Sequence, residues 1–189
     1  MNVLHPVIFT VPNQLNNFSM PQRVKATSKL SRETVFISAH LSQLRINILR
    51  QKSTGMPEPD NHVFWSVSHK PKYVCGVVSR KKIGIDIEEI RPQQKSMYAY
   101  VASEKEWACI DGNCSKLSFF RCWTAKEAVL KAEGTGISDL LKCQILKDQG
   151  STMLLHYHDR QWRVEHYYLN KHIAAIIHDE HDDIVWHLL

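Results

Sequence analysis

Two carboxylates in Gly84-Ile85-Asp86-Ile87-Glu88 and a third in Trp123-Thr124-Ala125-Lys126-Glu127-Ala128-Val129-Leu130-Lys131 are the chemistry-bearing groups of this 189-residue chain. Hard oxygen donors among lysines are the set that binds Mg²⁺ and steadies charge on a phosphate ester. In a strand, Asp86 and Glu88 share one face, roughly 6.6 Å apart at their Cα atoms, while Ile85 and Ile87 face the other way. Like charges at that separation repel unless a cation lies between them. In a helix, Glu127 and Lys131 stand on neighbouring turns of one face. An isolated Asp-x-Glu also fits a solvated sheet edge, and an isolated Glu–Lys pair fits a surface ion pair of little energetic weight. What distinguishes these residues is their order, after Trp65-Ser66-Val67-Ser68-His69 and before Gly134-Thr135-Gly136.

The elements that must position them follow from periodicity and turn chemistry. Val7 to Val11 reads as a strand ended by Pro12. The spacing of Val35, Leu41, Leu44, Ile48 and Leu49 predicts a helix over 31–50 carrying Arg32, Arg45 and Arg50 on its other faces. Gly55, Pro57 and Pro59 make 51–61 a loop. Strands are expected over 63–67, 73–79 and 83–88, the last two joined as a hairpin by Ser79-Arg80-Lys81-Lys82. Helices are expected over 94–111 and 115–133, the second closed by Gly134, with further antiparallel strands near 153–158, 162–168 and 172–177. The stretches 73–78 and 172–177 share a small-and-branched texture. The expected fold is therefore α+β, with two similar α/β subdomains in a pseudo-twofold arrangement, each an antiparallel sheet packed with helices. Residues 1–90 would form the first subdomain and 91–189 the second, together one functional unit.

Residues 1–50 hold six lysines and arginines against one acid, Glu33, enough to account for the whole net charge of +5. A basic segment can dock nucleic acid, a polyphosphate or an acidic protein. A non-enzymatic nucleic-acid module is one alternative, but no stacking-aromatic or groove-reading motif accompanies the charge. Five cysteines (75, 109, 114, 122 and 143) without a CxxC pair indicate reduced thiols rather than a disulfide framework or zinc knuckle. The start lacks a basic signal-peptide region, and the apolar run Ile173 to Ile177 is far too short to span a bilayer. The reading is a cytoplasmic protein with no membrane partner.

The ordered set Ser68-His69, then GIDIE at 84–88, then WTAKEAVLKAEGTG at 123–136 resembles the 4′-phosphopantetheinyl transferase superfamily, in its surfactin-synthetase-activator type with two similar halves in one chain. The resemblance covers roughly residues 55–136. It implies a site between the halves, coenzyme A as substrate, Mg²⁺ (or Mn²⁺) as cofactor and an apo acyl or peptidyl carrier protein as partner. A carrier serine would take the 4′-phosphopantetheine arm and 3′,5′-ADP would leave. By the same resemblance Asp86, Glu88 and Glu127 would hold the metal, and Glu127 and Lys131 would be catalytic. Ser68, His69, Lys126, Lys131 and Arg45 would bind the cofactor-derived phosphates, and a monomer with no nucleic-acid partner would suffice. A coenzyme A-binding regulatory relative is the other alternative.

Met56 stands in Gly55-Met56-Pro57 where many members of that family carry lysine, and Lys70 follows His69 where many carry serine. Ser103-x-x-Glu106 matches a family segment and equally a helix capping box; the capping role is preferred. His156-x-His158 and His178-x-x-His181 lack the further ligands that close a tetrahedral site, and Trp123 is expected behind the catalytic helix. Removing either Asp86 or Glu127 is expected to relieve carboxylate repulsion in the metal-free protein.

Overall fold

A computed structural model describes residues 2–110 and 115–189; Cys114 and the last residue of the helix expected over 94–111 lie outside them. The chain begins with β1 (Asn2–Leu4) and β2 (Val7–Thr10), then a 3-10 turn over Asn13–Asn17 and α1 (Met20–Leu41). The Gln22 side chain accepts the Ser19 N–H at 3.0 Å, and a proline lies in the first turn. Both are helix-start signals. Gln43 takes a left-handed φ of 53° and Leu44 N–H turns back to Ala39 O, so the helix stops at Leu41. The helix expected over 31–50 is thus displaced to 20–41. The apolar spacing beyond it belongs to a loop whose Leu44, Ile46 and Leu49 pack beneath α1.

Next come β3 (Phe64–His69), β4 (Tyr73–Ser79), β5 (Ile85–Glu89), α2 (Lys95–Val101), α3 (Glu104–Ala108) and α4 (Lys116–Glu133). Ala102 is extended and Ser103 caps α3, which breaks the single helix expected there into two. Gly134 ends α4 at φ 75°, as expected. After a 3-10 turn at Ile137–Asp139 the chain forms β6 (Gln144–Gln149), β7 (Thr152–Tyr157), β8 (Arg160–Leu169), β9 (His172–His178), β10 (Asp182–Ile184) and β11 (His187–Leu188). The sequence reading had placed β7, β8 and β9 but not β1, β6, β10 or β11.

The α+β architecture has two halves, each a sheet carrying a long helix. One sheet runs β11-β2-β4-β3 under α1; the other runs β5-β9-β8-β7-β6, all antiparallel, under α4. The two strands of similar texture, β4 and β9, occupy interior positions in their sheets and are almost wholly buried. The hairpin is β3–β4, not β4–β5 as expected. Both edges of β4 are already filled by β2 and β3, so β5 leaves to pair with β9. The ends of the chain return: β10 pairs with β1 and β11 with β2.

Two glycines set how closely helix and sheet approach. A Cβ at Gly76 would meet Thr34 Oγ1 of α1 at 2.3 Å, and a Cβ at Gly84 would meet the Ala128 carbonyl of α4 at 1.8 Å. The buried small residues Ala125, Ala128 and Ala132 on α4 and Ala174 and Ala175 on β9 belong to that second core. A side chain at Thr34 can turn aside, but a helix carbonyl cannot. Gly84→Ala should therefore cost about 1–3 kcal/mol or more by overpacking and more than Gly76→Ala, measured by urea unfolding. A Gly84→Ala protein as stable as wild type would mean that α4 does not rest on this backbone.

Candidate active site

β5 brings its acidic face to the seam between the two halves. Its outer edge faces β3, and there hydroxyls replace a backbone ladder: Ser66 Oγ accepts the Ile85 N–H at 3.1 Å and Ser68 Oγ donates to Asp86 Oδ1 at 2.7 Å. Lys131, one turn after Glu127 on α4, donates to the same Asp86 oxygen at 2.7 Å and to Ile85 O at 3.1 Å. Glu88 Oε1 receives the Lys70 ammonium at 2.7 Å and the Trp123 indole N–H at 3.1 Å. Glu127 and Lys131 line a cleft of about 220 Å³, together with Met56, Ser66 and Gly134. The fold thus collects Ser68, Asp86, Glu88, Glu127 and Lys131 at one place.

The other expected site residues are placed differently. Lys126 is wholly buried; its ammonium sits 2.7 Å from Glu106 Oε1 and 2.8 Å from Val101 O. It ties α4 to the α2–α3 corner and is not brought to the cleft. Its neighbour in sequence, Glu127, points elsewhere because adjacent residues on a helix lie about 100° apart. Glu106 also accepts the Ser103 N–H at 2.8 Å, completing the capping box, and the Ile145 N–H at 2.9 Å. Burial alone would raise its carboxyl; the Lys126 ammonium and these backbone donors hold it below the ordinary range. Arg45 is exposed beside a separate depression with Asn47, Asn61 and Arg80. His69 reaches solvent, and burial of part of its surroundings with the nearby Lys131 and Lys70 charges lowers its imidazole.

Met56 lies directly against Gly134: a Cβ there would come 2.3 Å from its sulfur. The cleft floor is therefore apolar where the family often has lysine. In the basic amino-terminal segment, Arg23 donates to Asn16 O at 3.0 Å and Arg32 to Gln51 Oε1 at 2.6 Å, so part of that charge is structural. Cys75, Cys109, Cys122 and Cys143 are free, and burial raises the Cys75 and Cys143 thiols to about 12. Three groups were not assigned from sequence: Ser66, the Lys70 contact and the Trp123 indole. Ser66 and Ser68 alternate on one face of β3, a signal that was readable. The Trp123 contact depends on how α4 is laid across β5 and had no local signal.

The Asp86 carboxylate leaves one acceptor that a cation could take. Asp86 is 3 % exposed and its Oδ2 is buried without a hydrogen-bond partner. A buried orphan acceptor is costly unless something fills it. Burial and then the Asp86 charge raise the Glu127 carboxyl; the same two causes raise that of Glu88, against the pull of Lys70. Among the described residues no three His, Cys, Asp or Glu side chains converge as a closed metal site, His156 and His158 included. The Lys131 and Lys70 ammonium groups lie against Asp86 and Glu88.

Residues 82–177, just over half of the chain, match the family described as ACPS, the 4′-phosphopantetheinyl transferase superfamily. The chain belongs to that superfamily. It is similar to the 4′-phosphopantetheinyl transferase gsp of Aneurinibacillus migulanus, with 33% identity over 95 residues, 48% of this chain and 40% of the relative. It is 30% identical over 112 residues to psf-1 of Bacillus pumilus, covering 56% of this chain and 48% of the relative. With the transferase Sfp of Bacillus subtilis strain 168 it shares 30% identity over 101 residues, 51% of this chain and 44% of the relative. The chain thus spans less than half the length of these curated relatives.

Glu127 binds its proton more tightly folded than unfolded, so stability falls as pH rises from the ordinary carboxylate range through its raised value and stays reduced above it. Glu127→Gln should raise the metal-free melting temperature at neutral pH, and the gain should vanish in acid; equal melting curves would show no repulsion. Asp86→Asn should lower it instead, because it weakens the attachment of Lys131 and Ser68, contacts that the expectation from carboxylate repulsion alone did not include. Lys126→Met leaves the buried Glu106 without its counter-charge, with only the Ser103 and Ile145 donors, and should cost about 3–5 kcal/mol in denaturant unfolding. Weaker substrate binding at unchanged stability would place Lys126 in the site after all.

Proposed function

We propose that the chain transfers the 4′-phosphopantetheine arm of coenzyme A to a serine of an apo acyl or peptidyl carrier protein, releasing 3′,5′-ADP. The observation that carries this reading is the buried, half-unpartnered Asp86 carboxylate held by Lys131, which lines one cleft with Glu127. Family membership supports the reaction class. Asp86, Glu88 and Glu127 would hold Mg²⁺ or Mn²⁺, which when bound neutralises pyrophosphate oxygens and orients the attacked phosphorus.

The chain's own groups do the rest. The Lys131 ammonium, held above its ordinary range because the Asp86 and Glu127 charges outweigh the cost of burial, stays charged to meet the pyrophosphate. The raised Glu127 carboxyl suits it to accept the serine proton, directly or through a water. The serine oxygen–phosphorus bond forms as the anhydride oxygen departs with 3′,5′-ADP. Ser68 positions Asp86, and the exposed His69, one residue further on β3, would meet the 3′-phosphate of coenzyme A. Residues 1–90 and 91–189 act as one unit, since β5 sits in the second sheet while β11 closes the first. A cytoplasmic monomer is the form we propose. Among the described residues no helix is long and apolar enough to cross a membrane.

Incubation with coenzyme A, Mg²⁺ and a panel of apo carrier proteins should add one phosphopantetheine arm to at least one carrier by mass spectrometry. Glu127→Gln should lower turnover by about 10²–10⁴-fold, the usual scale of a lost general base. No mass gain on any carrier would defeat the transferase reading; near wild-type turnover in Glu127→Gln would remove that residue from the chemistry.

A further inference from the structure

Lys70 reaches the acidic cluster from the turn between β3 and β4, where its own N–H is held by Tyr73 O at 2.8 Å and Pro71 follows. Its ammonium lies 2.7 Å from Glu88 Oε1. This contact is sheltered: the Glu88 side chain is 13% exposed and Lys70 32%. Lys131 and Lys70 are anchored unequally. Lys131 rises from the last turn of α4 and has two acceptors, Asp86 Oδ1 and Ile85 O. For the Lys70 ammonium, Glu88 is the recorded acceptor among the described residues, and its backbone sits in a turn.

We propose that Lys70 is a resident counter-cation that competes with a divalent metal ion for Glu88 and is released from it when the ion binds. The inference rests on reading Asp86, Glu88 and Glu127 as the divalent-ion set. A dication drawn to Glu88 and an ammonium 2.7 Å from its Oε1 repel each other across a short distance. The less anchored cation is the one that yields. Trp123 stays on Glu88 Oε1 through either state, because a neutral indole N–H carries no opposing charge. The exchange swaps one positive charge for two within the cluster and leaves a mobile ammonium near His69. In this chain metal affinity is therefore set partly by a residue that ligates nothing.

The test is Mn²⁺ binding to the intact protein by electron paramagnetic resonance, comparing wild type, Lys70→Met and Lys70→Arg, with circular dichroism melts confirming that each is folded. Loss of a charge-assisted contact that the metal must otherwise break should tighten Mn²⁺ about tenfold in Lys70→Met; Lys70→Arg should remain near wild type. In parallel, amine-reactive labelling of the wild-type protein read by peptide mass spectrometry should show Lys70 becoming more reactive on Mn²⁺ addition. Unchanged or weaker Mn²⁺ affinity in a folded Lys70→Met protein, or Lys70 labelling indifferent to Mn²⁺, overturns the proposal while leaving the metal set intact. Failure of both wild type and Lys70→Met to bind Mn²⁺ overturns the metal set as well.

Discussion

Oδ1 of Asp86 is where the three parts of the molecule meet. It takes the Lys131 ammonium from α4 and the Ser68 hydroxyl from β3 while sitting on β5. One buried carboxylate oxygen therefore fixes the helix of the second half and the sheet edge of the first against a single strand. Such an arrangement holds only if helix and strand come unusually close. The absent side chain at Gly84 lets the Ala128 carbonyl pass where a Cβ would stand. The glycine in Gly-Ile-Asp-Ile-Glu thus serves the site through packing distance, and its backbone is in an ordinary conformation with no left-handed φ.

The remaining oxygen, Oδ2, is buried and unpartnered, and the neighbouring Glu127 and Glu88 are pushed upward by burial and by Asp86 itself. The protein thus concentrates negative charge at a seam and balances part of it with lysines. Under the proposed function, an incoming dication would relieve this excess of negative charge. Structural charge is kept apart from it. Lys126 and Glu106 are spent on joining α4 to α2 and α3, with every recorded oxygen of Glu106 engaged by Lys126, Ser103 or Ile145.

Much of the site was legible in the residues. Asp86, Glu88, Glu127 and Lys131 follow from a two-residue strand period and a four-residue helix period, and the structure brings all four together with Ser68. The Ser103–Glu106 capping box and the Gly134 helix end are local rules and appear as expected. Local rules failed where two of them competed. Helical apolar spacing through Leu44 to Leu49 lost to the left-handed Gln43, while the Ser19–Gln22 start was passed over. A turn-like Ser79 to Lys82 does not make a hairpin when the strand before it has no free edge.

The sequence by itself determined the donor set, its order and its separation along strand and helix, because side-chain direction repeats with the backbone period. It also marked two segments of like texture as strands, whose interior positions the sheet topology then assigned. Only the tertiary structure decided which lysine faces the carboxylates. Lys126 and Lys131 lie five residues apart on α4, yet one is sealed behind the helix with Glu106 and the other reaches Asp86. Lys70, which the sequence places only directly after His69, settles on Glu88. Those choices depend on which strand lies beneath which face of α4 and on how closely Gly84 admits the helix, quantities set by long-range packing rather than by any local window of residues.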